Sequence, residues 1–145
     1  MVRAGNSEDE RSASQQRLPS PFALLIDADN TEIELVPIVI KKAEVWGELI
    51  LRRAYGNQEA LLSQKWKNLC LQYALQPIPH LEISGAKNAT DIALAIDAID
   101  LLHTQGIRRF CLVTGDQGFT SLVLRLRSLA WTLLFLIERY MFMYK

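Results

Sequence analysis

Hydrophobic residues of the chain occur in short runs that alternate with stretches of helical spacing. The clearest run is residues 22–26, five apolar residues followed at once by the polar segment 27–30. Because both faces of this run are apolar, it is typical of a central strand in a parallel sheet. Further strands are predicted at residues 49–55 and 110–113, and a short edge strand that contains two prolines at residues 76–81.

The helical patterns lie between these strands. A helix is predicted at residues 36–46, where Pro37 falls in the first turn and Gly47 follows the end. Others are predicted at residues 59–73 and 120–129. The clearest helix is residues 88–102, whose apolar stripe is predicted to consist of Ile92, Ala95, Ile96, Ile99 and Leu102.

This alternation predicts an α/β fold with a mainly parallel sheet, built from right-handed βαβ units. Residues 131–140 are apolar enough to supply a fifth strand. The first twenty residues contain almost nothing that can bury apolar area, so we expect residues 1–20 to be a disordered leader and residues 21–145 to form one domain. A chain of 145 residues with 50% hydrophobic content fits a single core.

Charge and cysteine content narrow the possible partners and location. Sixteen basic and sixteen acidic residues cancel, so a nucleic-acid partner would have to be held by a local patch. Cys70 and Cys111 fall in apolar patterns, which favours two buried thiols over a disulfide and predicts a cytoplasmic protein. The apolar stretch 129–137 is much shorter than the roughly 20 residues of a membrane-spanning helix, so no membrane partner is expected.

Three carboxylates are placed where an open parallel sheet carries its function, outside the C-terminal ends of the strands. Asp27 follows the first strand, Asp116 follows the strand 110–113, and Asp91 lies in the first turn of the helix that leads to that strand. Converging carboxylates repel one another, and a divalent cation offsets that cost. Hard oxygen ligands would select Mg²⁺ or Mn²⁺.

Each of these residues also has an ordinary structural interpretation. Asp27 and Asp116 would serve equally well as turn formers whose side chains accept from nearby amides. Asp91 would be favoured by the positive end of its helix alone. Turn chemistry does not require these residues to share a position at strand ends, so that shared position favours the functional interpretation.

Three segments resemble a known family. Residues 25–30 (Leu-Ile-Asp-Ala-Asp-Asn), 87–94 (Lys-Asn-Ala-Thr-Asp-Ile-Ala-Leu) and 114–119 (Thr-Gly-Asp-Gln-Gly-Phe) are similar, in order and spacing, to the signature blocks of NYN domains of the LabA-like branch in the PIN-like nuclease superfamily. The resemblance runs from about residue 22 to residue 129. It implies a three-layer, Rossmann-like PIN-type fold with about five strands.

The resemblance also implies an activity and a site. The activity would be metal-dependent hydrolysis of RNA phosphodiester bonds by a cation-activated water. Asp27, Asp91 and Asp116 would be the Mg²⁺ or Mn²⁺ ligands, and Asn30 would support Asp27 by hydrogen bonding.

Candidate RNA-binding residues lie beside these segments. Lys87, with Asn88, would contact phosphate, although a solvated surface lysine fits the sequence as well. Tyr55 would either stack a base of single-stranded RNA or belong to the core, and Arg53 would line the RNA path next to it. His80 and His103 have no partner at ligand spacing, so we expect a surface or capping role for them.

Two departures from the family pattern leave a second function open. Gly118 stands where the family commonly has another acid, and residues 130–145 are divergent or truncated. A catalytically weakened module that binds RNA or a protein partner is therefore the alternative, and an unfinished sheet edge would also suit a homo-oligomer. Residues 27–31 (Asp-Ala-Asp-Asn-Thr) also fit the opening motif of haloacid-dehalogenase-type phosphatases, but no acidic pair follows in the order that such chemistry requires.

Overall fold

The computed structural model describes residues 21–80 and 89–115, together with the backbone of strands 132–137 and 140–144. The predicted helix 120–129 lies outside these residues, as do residues 1–20. No helix within the described part of the chain has the length and apolar character needed to cross a membrane.

A six-stranded sheet in the order β3-β2-β1-β4-β5-β6 forms the centre of the domain. The first five strands in chain order are mutually parallel, and only β6 runs antiparallel, against β5. The α/β prediction is therefore confirmed, and the described residues contain six strands where about five were expected. The strands are β1 (Pro21–Asp27), β2 (Glu48–Asn57), β3 (Gln76–His80), β4 (Arg109–Val113), β5 (Thr132–Ile137) and β6 (Tyr140–Tyr144).

The strand order reverses at β1. The chain moves outward from β1 to β2 and β3, then returns through a helix to β4 on the other side of β1. In open parallel sheets, ligands bind outside the C-terminal strand ends at such a reversal. As predicted, β3 is the edge strand that carries the two prolines.

Four α-helices connect the strands within the described residues. They are α1 (Val36–Trp46), α2 (Gln58–Leu61), α3 (Gln64–Tyr73) and α4 (Ala89–Thr104), and short 3₁₀ turns occupy Ala28–Asn30 and Ile33–Leu35. The predicted bounds of α1 are confirmed to the residue.

The prediction of one continuous helix over residues 59–73 is wrong. A tight turn closes α2, because the Ser63 amide donates to the Ala60 carbonyl at 3.1 Å. Ser63 itself is extended, with φ −63° and ψ 155°, and α3 starts after it. The apolar residues keep their helical spacing across this break, so the periodicity of the sequence does not indicate where the helix is interrupted.

Strand β1 is buried on both faces, as the sequence predicted for a central strand. Phe22, Leu24 and Ile26 pack in one core cluster with residues of α1 and α3. Ala23 and Leu25 point to the opposite face and pack in a second cluster with residues of α4 and β4. Since all five side chains are inaccessible to solvent, water reaches the sheet here only at the strand ends.

The buried face of α4 matches the predicted stripe only in part. Ile92 and Ile96 are 57% and 63% exposed. Leu102 and Ile99 of that stripe do pack in the core cluster on the sheet, together with Leu94, Ala98 and Leu101. The helix is apolar on most of its circumference, so two stripes of the same spacing exist in the sequence and only packing decides between them.

Both cysteines are buried free thiols, as predicted. Burial raises the pKa of the Cys70 thiol, and it raises the pKa of Cys111, within β4, to about 12. Both side chains are therefore thiols at neutral pH and act as small apolar core residues.

Tyr55 joins β2 to α4 through a hydrogen bond, which gives a test of the packing. Its buried hydroxyl donates to Asp97 Oδ2 at 2.5 Å, and the Arg53 guanidinium donates to the same oxygen at 3.0 Å. We expect Tyr55→Phe to lower the free energy of unfolding by about 2 kcal/mol, because a hydrogen bond to a charged acceptor is lost. Urea denaturation followed by circular dichroism measures this.

The matched control for this variant is Tyr73→Phe. Tyr73 is partly buried in the other core cluster, and its hydroxyl forms no hydrogen bond with the described part of the chain. Its loss should change stability by less than about 0.5 kcal/mol. If the two substitutions lowered the free energy of unfolding equally, the hydrogen bond to Asp97 would contribute nothing to stability.

Candidate functional site

Asp27 lies at the C-terminal end of β1, at the strand-order reversal, and its side chain is fully buried. Three groups donate to its carboxylate. The Asn30 amide N–H reaches Oδ1 at 3.3 Å, the Asn30 side-chain Nδ2 reaches Oδ2 at 3.0 Å, and Thr114 Oγ1 reaches Oδ2 at 2.8 Å. The Asn30 bond that the resemblance implied is present, and so is the backbone bond of the simple turn interpretation.

Burial dominates the electrostatics of this carboxylate. Desolvation raises the pKa of Asp27 above its ordinary value, and the negative charge of Asp29 adds to this, while the hydrogen bonds from Asn30 and Thr114 lower it in part. No ion pair with Asp27 occurs among the side chains that the structure describes. The three donors therefore orient the carboxylate without neutralising it.

The ends of β1 and β4 are held together just beyond this carboxylate. The Gly115 amide donates to the Asn30 carbonyl at 2.5 Å, and Thr31 Oγ1 donates to the Val113 carbonyl at 3.4 Å. A Cβ at position 115 would lie 2.6 Å from the Asn30 oxygen, which is closer than real contacts allow. Only glycine permits this approach of the two backbones.

A second polar cluster surrounds Asp29, two residues further along. Asp29 Oδ1 accepts from the Asn57 amide at 3.1 Å and from the Asn57 side chain at 3.3 Å. Asp29 Oδ2 accepts from Thr90 Oγ1 at 2.5 Å and lies 3.7 Å from His80 Nε2. His80 Nε2 also contacts Thr90 Oγ1. The cluster thus joins the ends of β1, β2 and β3 to the first turn of α4.

Asp91 follows Thr90 in that first turn and is partly buried. Since Thr90 bonds to Asp29, the turn that carries Asp91 lies at the same edge of the sheet as Asp27. Within residues 21–80 and 89–115, no three His, Cys, Asp or Glu side chains are close enough to share a metal ion. Asp116, the third predicted ligand, lies outside the described residues, as do Lys87, Asn88 and Gly118.

The structure places Tyr55 and Arg53 inside hydrogen-bond networks. Tyr55 is fully buried in the core cluster with α4, so neither face of its ring is open for stacking on a base. Burial and the adjacent Asp97 raise its pKa far above the usual range. The Arg53 guanidinium is paired with Asp97 and Gln76, and its side chain is 21% exposed. The core interpretation of Tyr55 is the one that these contacts support.

Sequence reasoning assigned no site role to several side chains that the fold brings to this edge. Thr114, Asn57 and Thr90 had none, Asp29 was considered only as part of the phosphatase-type motif, and His80 was expected at the surface without a partner at ligand spacing. A signal was available for part of this set, because Asn57 and His80 are the last residues of β2 and β3, and Thr114 directly follows β4. All three lie where parallel strands deliver polar side chains.

A parallel sheet with polar side chains gathered at the ends of four neighbouring strands defines an α/β domain with its site at the strand-order reversal. The NYN domain model matches residues 21–142, and the chain belongs to this family. NYN domains are part of the PIN-like nuclease superfamily. Such nucleases generally depend on a divalent metal and usually act on RNA.

A solved structure supports the fold. The chain is similar to the crystal structure of a protein of unknown function from Vibrio parahaemolyticus RIMD 2210633, with a TM-score of 0.59 and 20% sequence identity. The similarity covers 77% of this chain and 76% of that one, and at this identity it concerns the fold alone. A search of curated proteins found no significant match.

The raised pKa of Asp27 predicts a pH-dependent contribution to stability. Because its folded-state pKa lies above the ordinary 3.8, the folded state holds this proton more tightly than the unfolded state does. Its contribution to the free energy of unfolding is therefore present at low pH and is lost as pH rises through the folded pKa. We expect the stability of Asp27→Asn relative to wild type to increase between pH 4 and pH 7.

Urea denaturation at the two pH values, in the presence of EDTA, measures this difference. A tenfold difference in proton affinity corresponds to about 1.4 kcal/mol. Asp100→Asn, at an exposed position of α4, is the matched control and should show no comparable trend. A stability difference that stays constant with pH, or that shrinks, would contradict the raised pKa.

Proposed function

We propose that this protein is a metal-dependent ribonuclease of the LabA-like branch, which hydrolyses phosphodiester bonds of single-stranded RNA in the cytoplasm. The observation that carries the proposal is the buried Asp27 carboxylate. It is oriented by three donors at the strand-order reversal, and no described basic side chain pairs with it. A fold that retains such a costly group needs a compensating charge, which a divalent cation would provide.

The residues present suit Mg²⁺ or Mn²⁺. Carboxylate oxygen is the ligand type that these ions prefer. Asp27 is preorganised by Asn30 and Thr114, and Asp91 is carried to the same edge by α4. We propose that Asp116 completes the set, since it is the residue after Gly115, which is bonded to the end of β1.

A bound divalent cation would supply the positive charge that acidifies an attacking water and stabilises charge on the phosphodiester. The chain's own residues would hold the ligands in position before substrate binds. Asn30 and Thr114 hold the Asp27 oxygens, so that no reorganisation of this carboxylate is needed during the reaction. No protein nucleophile is required.

Substrate contacts are proposed from the sequence at Lys87 and Asn88, beside the start of α4. Arg53 would contribute only if RNA displaced its present partners, Asp97 and Gln76. The cytoplasmic setting is supported by the two free thiols.

A catalytically weakened NYN module that binds RNA or a protein is the second candidate. The observation that favours it is Gly118, which stands in the third signature segment where the family commonly has an acid. Without that carboxylate the chain offers one oxygen ligand fewer for a metal ion.

The test is cleavage of a labelled single-stranded RNA by purified protein with Mn²⁺, and with EDTA. We expect metal-dependent cleavage that falls by about 100-fold or more in Asp27→Asn and in Asp116→Asn, because each removes a proposed ligand of the cation that stabilises charge in the transition state. Asp100→Asn, an exposed carboxylate on α4, is the matched control and should cleave like wild type.

Metal binding gives a readout that does not depend on activity. Mn²⁺ at about 100 times its Kd should stabilise the wild type and Asp100→Asn by about 2.7 kcal/mol, and should stabilise Asp27→Asn much less. Stabilisation by Mn²⁺ without cleavage would favour the weakened module. If Mn²⁺ produces neither stabilisation nor cleavage in well-folded wild type, the ribonuclease proposal is wrong.

A further inference from the structure

Thr90, the second residue of α4, is a buried polar side chain with only 4% of its surface exposed. Its hydroxyl donates to Asp29 Oδ2 at 2.5 Å and contacts His80 Nε2. A threonine hydroxyl has one proton to donate, and here Asp29 receives it. The His80 contact is then satisfied when Nε2 carries a hydrogen and donates to the Thr90 oxygen.

Asp29 is itself fixed from another direction. Its Oδ1 accepts two hydrogen bonds from Asn57 at the end of β2. Gly56 packs against the same oxygen so closely that an added Cβ would lie 3.0 Å from it. Because Oδ1 accepts from β2 and Oδ2 accepts from Thr90, this carboxylate links the sheet to the helix by hydrogen bonds.

We infer that the hydrogen bonds among Asp29, Thr90 and His80, here called the Thr90 network, position Asp91 by fixing the first turn of α4 on the ends of β1 and β3. This inference rests on the proposed function, because it concerns the placement of a proposed metal ligand. Thr90 is a positioning residue and does not itself contact the metal or RNA. Asp91 is its direct neighbour, so a displaced first turn displaces Asp91.

The loss of one hydroxyl is enough to test the Thr90 network. Thr90→Val keeps the shape of the side chain and removes both polar contacts, whereas Thr90→Ser keeps the hydroxyl. Thr104→Val is the matched control, because it removes a threonine hydroxyl that bonds to the Asp100 carbonyl at the other end of the same helix. All three variants are compared with wild type after their folding is verified by circular dichroism.

Two quantities are then measured. The first is amide hydrogen exchange of a peptide that covers residues 92–98, which reports opening of the first turn of α4. The second is the Mn²⁺ dissociation constant by isothermal titration. We expect Thr90→Val to accelerate exchange about tenfold and to weaken Mn²⁺ binding about 10-fold to 100-fold, as lost outer-shell contacts do. Thr90→Ser and Thr104→Val should remain within about threefold of wild type in both quantities.

The outcomes separate this inference from the proposed function. If wild type binds Mn²⁺ and Thr90→Val binds it equally well, the positioning role is wrong, whatever the exchange rates are. The same conclusion follows if Thr90→Ser is as impaired as Thr90→Val, because the hydroxyl is then not the cause. If wild type does not bind Mn²⁺, the proposed function fails, and the exchange comparison alone decides whether the Thr90 network fixes the helix.

Discussion

The packing of the central strand on both of its faces is the constraint on which this domain and its site depend, because it buries a carboxylate at the strand's end. Because β1 is covered on both faces, Asp27 is removed from water by the same packing that stabilises the sheet. Three hydrogen bonds orient it, yet its pKa remains raised, so a net electrostatic cost remains in the folded protein. A cost of this kind is usual at functional sites, where position matters more than stability.

Two aspartates of one short turn have different roles because their neighbours differ. Asp27 faces the junction of β1 with β4, where the donors that the described residues supply are all uncharged. Asp29 faces the ends of β2 and β3, where both of its oxygens are engaged by side-chain and backbone donors. The first is suited to hold a ligand, whereas the second is suited to hold the structure around it.

The features that were predictable from the sequence are local ones. The double-sided strand β1, the bounds of α1 and the strand-end position of Asp27 follow from short patterns of apolar and polar residues. The partners of Asp29 do not follow from such patterns. His80 and Thr90 are distant from Asp29 in the chain, and the sheet order brings them to it. The buried face of α4 was also undetermined, because that helix offers two apolar stripes of equal spacing.

The close contact between Gly115 and the Asn30 carbonyl has a consequence for the comparison of related chains. The backbone geometry alone demands glycine there, since no side chain fits between the two strand ends. A relative that had lost catalysis but kept the fold would still carry Gly115, so the presence of this glycine indicates common descent and a shared fold. Asp27 differs from this glycine, because the backbone geometry does not demand a carboxylate there and only the proposed chemistry would. Where both residues persist together in a lineage, selection for chemistry is the simpler explanation.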